Sequence, residues 1–96
     1  MEKAIAVYQT ALTINPAYYT LYSELGLIYR KEGQWELAIK NFEKALSYNP
    51  DYVEAYYFLS ATYCSMGYSE KCKEYAQRAV TLDPNGYVLQ NITISN

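Results

Sequence analysis

Ninety-six residues, 51% hydrophobic and 19% charged, exclude a disordered tail and allow one domain or a segment of a longer array. Eight basic against ten acidic residues leave a net charge of −2, which argues against a phosphate-backbone ligand, since that needs a concentrated positive patch. No apolar run approaches the roughly 18–20 residues of a membrane span, and Met1-Glu2-Lys3-Ala4-Ile5 lacks the basic start and long apolar stretch of a secretory signal, so neither a membrane nor a nucleic-acid partner is expected and a cytoplasmic location is.

In chain order, residues 1–14 form a first helical segment that ends at Asn15-Pro16. Residues 17–31 place Leu21, Tyr22, Leu25, Ile28 and Tyr29 at three- and four-residue steps, the apolar stripe of an amphipathic helix. Gly33 stands where that helix must stop, because glycine takes the left-handed conformation without steric cost. Residues 35–48 form the next stripe through Trp35, Ala38, Ile39, Phe42, Ala45 and Leu46, up to Asn49-Pro50. Residues 53–86 repeat the pair, with Gly67 between its helices and Asp83-Pro84 at its end. At each such step the Asn or Asp oxygen is expected to cap the following helix, and Pro to supply the preset φ of its first turn. Residues 87–96 are rich in β-branched residues and Asn, which are poor helix formers, yet they follow the same start signal. The apolar flank of the preceding helix needs cover, so a short capping helix over 87–92 that frays at 93–96 is expected; the rivals are an extended tail and an exchange onto residues 1–14 of another copy.

The punctuation is periodic. Pro16, Pro50 and Pro84 are each 34 residues apart, and each follows Asn15, Asn49 or Asp83. The same shift aligns Tyr22 with Tyr56, Leu25 with Leu59, Tyr29 with Tyr63, Gly33 with Gly67 and Ala45 with Ala79. Residues 1–18 align with 35–52 through Ala4/Ala38, Ile5/Ile39, Ala11/Ala45 and Leu12/Leu46, so the opening helix is of the second kind in a two-helix unit. A 34-residue hairpin cannot bury its stripe alone, and neighbours must stack.

Tyr22-x2-Leu25-Gly26-x2-Tyr29, followed by Ala38-x3-Phe42, Ala45 and Pro50, closely resembles the tetratricopeptide repeat (TPR) signature. Tyr22 is the departure here, where the family favours Trp. In the following repeat Ser60 replaces Gly, Cys72 replaces Ala, and Ala76 replaces the aromatic. The resemblance implies an all-α fold of antiparallel helix-hairpin repeats stacked into a right-handed solenoid. The single array of residues 1–96 then divides into a half repeat (1–18), full repeats (19–52 and 53–86) and a capping stub or tail (87–96).

Catalysis and bound cofactors are not expected. The chain has no His to move protons near neutral pH, two Cys alone cannot hold a four-ligand metal site, and four scattered Gly build no phosphate loop. Among the 13 tyrosines, Tyr8, Tyr22, Tyr29, Tyr56 and Tyr63 fall on core positions. Tyr18, Tyr19, Tyr48, Tyr52, Tyr57, Tyr68, Tyr75 and Tyr87 are not required by the signature, and two readings stand for the cluster around Tyr57: tolerated surface and partner contact. Cys64 and Cys72, eight residues apart, read as reduced thiols on differently directed faces. Glu36–Lys40 reads as a surface i,i+4 pair.

In TPR proteins the first helices of successive repeats line a concave groove that receives a segment of another protein. Matching positions imply a groove of Thr20, Ser23, Leu27, Arg30, Glu54, Tyr57, Phe58, Ala61 and Cys64, with apolar contact from Leu27, Tyr57, Phe58 and Ala61 and orientation from Arg30 and Glu54. The family's acidic chaperone-tail ligand is not expected, because the clamp places hold Ser23, Leu27, Glu24, Glu54 and Phe58 instead of clustered cations. The leading reading is a protein–peptide interaction module. The alternative is a self-assembling scaffold, a homo-oligomer formed through the incomplete repeat ends.

Overall fold

The computed structural model describes residues 2–92, and all its regular structure is helical: α1 (Glu2–Ile14), α2 (Tyr19–Lys31), α3 (Trp35–Tyr48), α4 (Val53–Ser65), α5 (Ser69–Leu82) and α6 (Tyr87–Asn91). α2 packs on α3 and α4 on α5 as antiparallel hairpins, and α3 packs on α4 to stack one hairpin upon the next. The helix stops are the expected ones. Gly33 and Gly67 sit at φ +77° and +85°, in the left-handed region. The N–H of Gly33 donates to the Arg30 carbonyl and that of Gln34 to the Tyr29 carbonyl, at 3.0 and 2.8 Å; Gly67 and Tyr68 do the same toward Cys64 and Tyr63.

The Asn-Pro steps differ from expectation. Neither α2 nor α4 has a side-chain cap: α2 follows Tyr18 and α4 follows Tyr52. Asn15 and Asn49 instead accept, through Oδ1, the N–H groups of Ala17 and Asp51 two residues on, both at 3.2 Å. These side chains close a local turn in front of the helix, a competitor to capping that short amides satisfy easily. Pro16 and Pro50 therefore lie in that turn, and their carbonyls have a use of their own. The Tyr22 hydroxyl donates to the Pro16 carbonyl at 2.9 Å, and the Tyr56 hydroxyl to the Pro50 carbonyl at 2.8 Å. Glu36 and Lys40 are not an ion pair either; among the described residues Glu74–Arg78 is, at 3.4 Å.

The core is centred between the hairpins on Ala38, Ile39, Phe42, Phe58, Leu59 and Tyr75, with Leu27, Tyr29, Leu46, Tyr56, Tyr63, Met66 and Ile92 packed against it. Close approach of α2 and α3 depends on Gly26: a Cβ there would lie 2.5 Å from the Phe42 ring. α1 is the loosest second-type helix. Its Ala4, Ile5, Tyr8 and Ala11 are half-buried, whereas Ala38, Ile39, Phe42 and Ala45 at the matching places of α3 are buried. Val7 and Ile14 of α1 are 63% and 82% exposed.

A short helix does form, as α6, but it packs on α4 and not on the preceding α5 whose flank it was expected to cover, and Val80 of α5 stays 49% exposed; the expected frayed segment, 93–96, lies outside the described residues. Its start is built differently from those of α2 and α4. Gly86, at φ +69°, replaces the tyrosines that precede the earlier helices, and Asp83 Oδ2 accepts the N–H groups of Val88 and Leu89 at 3.1 and 3.3 Å.

Candidate partner-binding surface

α2 and α4 lie side by side, bridged at one end by Arg30 Nη2 donating to Ser65 Oγ at 3.3 Å. They form one surface from the first helix of each hairpin, the surface on which the sequence places the groove. Among its nine expected residues, Thr20, Leu27, Glu54 and Ala61 are half-buried and Cys64 is exposed. The other four are buried: Ser23 at 0%, Phe58 at 5%, Tyr57 at 8% and Arg30 at 9% relative exposure.

Each burial corrects the sequence reading for a physical reason. Phe58 turns into the stack, its ring 5.5 Å from that of Phe42, and joins the central core. Tyr57 is not surface. Its hydroxyl donates to Asp83 Oδ2 at 2.8 Å, so it shares the carboxylate that holds the start of α6. Burial, the hydrogen bond to Asp83 and the Asp83 charge together raise the Tyr57 phenol above its ordinary pKa. Burial alone would raise the Asp83 carboxyl too, but the Tyr57 hydroxyl and the N–H groups of Val88, Leu89 and Tyr87 outweigh it and hold the acid below the ordinary range. Arg30 is set into the α2–α4 seam, where burial lowers its pKa.

Beside this seam lies an aromatic and acidic edge that the repeat signature does not single out. The Tyr19 and Tyr52 rings meet edge to face at 4.9 Å. The Tyr52 phenol is raised mainly by burial and further by the charges of Glu54, Glu24 and the neighbouring Tyr19, against a lowering contribution from Ser23. Glu24 and Glu54 thus act on one place from two helices. The recurrence of Tyr18 and Tyr52 at the 34-residue shift was the available signal, and it marks the residue in front of each first-type helix.

The cysteines carry the clearest correction. Cys64 and Cys72 form a disulfide, with Cα atoms 5.1 Å apart. Phase along one helix misleads here, because Cys64 lies in the last turn of α4 while Cys72 lies in the first turn of α5, and the Gly67 turn folds the two against each other. Two shallow hollows, of about 330 and 380 Å³, lie away from this surface. One is bordered by Gln9, Tyr22, Tyr29, Leu37 and Lys44, the other by Pro50, Tyr56, Gln77, Arg78 and Leu82. No helix of the described residues is long and apolar enough to cross a membrane, and no three His, Cys, Asp or Glu among them converge on a metal position.

Residues 1–31 and 26–67 match a family model described as TPR repeat, and residues 53–85 match one described as tetratricopeptide repeat. No curated protein matches the sequence. Among solved structures, one crystal structure of MamA is 29% identical with a TM-score of 0.80, over 83% of this chain and 47% of that one. A second MamA crystal structure is 25% identical with a TM-score of 0.78, over 96% of this chain and 50% of that one. The chain therefore spans about half the length of the MamA chains it resembles.

Proposed function

We infer, from a chain that belongs to the tetratricopeptide repeat family, a protein–protein interaction module whose partner lies on the α2–α4 surface. The observation that carries this reading is the division of the nine residues. Ser23, Arg30, Tyr57 and Phe58 are buried and fix the helices, while Thr20, Leu27, Glu54, Ala61 and Cys64 stay open to a partner. Leu27 and Ala61 supply apolar contact, and Glu54 with Glu24 supplies negative charge. An extended or helical segment with an apolar anchor and a nearby Lys or Arg fits that chemistry; an acidic tail does not.

A photo-crosslinking residue at position 61 tests the surface, with the same residue at position 77 of α5 as control. The expected result is a crosslinked partner from position 61 and none from position 77. Equal capture from both, or capture from 77 alone, would remove the α2–α4 surface from consideration.

The second reading, self-assembly, is favoured by α1, whose apolar residues are half-buried where those of α3 are buried. A second copy laid along that face would cover Ala4, Ile5, Tyr8 and Ala11. Light scattering across a concentration series separates the readings: rising mass supports assembly, and constant monomer mass leaves the module alone.

A further inference from the structure

We propose that the Cys64–Cys72 disulfide is a reversible redox clasp, which a low-molecular-weight thiol–disulfide couple opens and closes, and which sets the stiffness of the second hairpin and of its joint with the first. Three observations meet here. First, the fold does not require the bond. The residues one period earlier are Arg30 and Ala38, and α2 and α3 form the same hairpin with no covalent link between those positions. Second, the bond lies near the surface, residue Cys64 being exposed and Cys72 half-buried. Cys72 also lies in the first turn of α5, between Lys71 and Lys73, where the helix dipole and the flanking cations favour the thiolate that attacks in exchange. Third, one end of the bond adjoins the contact between the repeats and the other is tied within the second hairpin. Cys64 adjoins Ser65, whose Oγ accepts from Arg30 of α2 at 3.3 Å, and the Cys72 carbonyl accepts from Ser60 Oγ of α4 at 2.9 Å.

Closure is a two-electron exchange with a small disulfide such as oxidised glutathione. The Cys72 thiolate attacks one sulfur of the reagent and expels one glutathione thiolate, leaving a mixed disulfide on Cys72. The Cys64 thiol, deprotonated, then attacks the Cys72 sulfur and expels the second thiolate. Both cysteines are oxidised, two glutathione thiols are produced, and the two cysteine protons end on them or in solvent. Opening is the reverse reaction.

The bond spans a separation of eight residues, and constraining so short a loop in the unfolded chain shifts the unfolding equilibrium by roughly 50-fold toward the folded state. The test equilibrates the full chain in glutathione buffers of graded ratio, counts free thiols by alkylation and mass, and follows denaturant unfolding and amide hydrogen exchange of both end states. The expected result is a single two-electron transition within the monomer. The oxidised form should be roughly 50-fold harder to unfold, with slower exchange in the last turn of α4 and the first turn of α5. The double variant Cys64→Ala/Cys72→Ala should fold and unfold like the reduced chain, indifferent to the buffer. Oxidation that yields only glutathionylated monomer or linked dimers would overturn the clasp, as would reduced and oxidised chains of equal stability. Failure of the double variant to fold would also overturn it, since the bond would then be a requirement of the fold.

Discussion

The two hairpins are built on one plan and filled in opposite ways. In α2/α3 a glycine meets a phenylalanine: Gly26 leaves no side chain, and the fully buried Phe42 ring occupies the space. In α4/α5 the same two places hold Ser60 and Ala76. The small residue has grown by a hydroxymethyl group and the large one has shrunk to a methyl. Ser60 uses its hydroxyl on the Cys72 carbonyl, and the adjacent Tyr75, buried and stacked on Tyr56 and Tyr63, supplies the aromatic bulk from a neighbouring position. Interiors are filled to a fixed density, so a looser signature in the second hairpin reflects a redistribution of volume.

The largest test of that contrast is Phe42→Ala. Its ring is fully buried against Phe58, and the loss should be about 3–5 kcal/mol by denaturant unfolding. A loss below about 1 kcal/mol would mean that the hairpin closes over the gap as readily as the second one tolerates Ala76. Next is Gly26→Ala, expected to cost about 1–3 kcal/mol because the new methyl meets the ring directly. Ser60→Ala, at the equivalent place, should cost only about 1 kcal/mol, the worth of its hydrogen bond to Cys72. Equal costs at the two positions would show that the helices are no closer in the first hairpin.

Gly33→Val and Gly67→Val sharpen the comparison from the other side. Nothing lies within 4 Å of an added Cβ at either position, so the cost is backbone strain alone, about 1–2 kcal/mol, and the same in both hairpins. An effect as small as that of Ser60→Ala separates Asp83 from Asn49. Tyr57→Phe removes one hydrogen bond to the carboxylate and should cost about 1 kcal/mol at pH 7. Because the folded acid is held below its unfolded value of about 3.9, its contribution is fully present above that pH and is lost as pH falls through the folded value. Melting temperature against pH should therefore drop on the acid side for the parent and drop less for Asp83→Asn. Parallel curves for the two would show that the carboxylate is not what holds α6.

The helices and their stops were legible because they rest on local rules: a 3.6-residue stripe, a glycine with positive φ, and a 34-residue period that repeats every signal. What the sequence concealed depends on contacts between elements. Tyr57 has the phase of a groove residue, but the segment around Asp83 and α6 reaches back to its hydroxyl, and no pattern within α4 records that reach. The cysteine pair was missed for a similar reason. Helical phase compares side chains on one rod, and these two stand on neighbouring rods that the Gly67 turn brings together. Asn15 and Asn49 are residue types suited to caps, but their side chains close the turns before the helices instead. At the surface, the sequence points to α2 and α4, while burial, which no helical pattern records, decides which of their residues remain accessible.

The tyrosine-to-proline ties have a consequence for how such a chain can change in length. Tyr22 grips the carbonyl of Pro16 and Tyr56 that of Pro50, each six residues upstream. α2 and α4 are thereby each keyed in azimuth to the turn before them, so one part of the geometry from unit to unit is set inside the unit. Whole 34-residue units can be gained or lost without disturbing the pitch of the rest. A single residue inserted between Pro50 and Tyr56 cannot be absorbed in this way, because within the helix it turns the hydroxyl by about 100° from its carbonyl. Indels in this architecture should therefore be tolerated in multiples of the period and rejected within the six-residue interval that the tie spans.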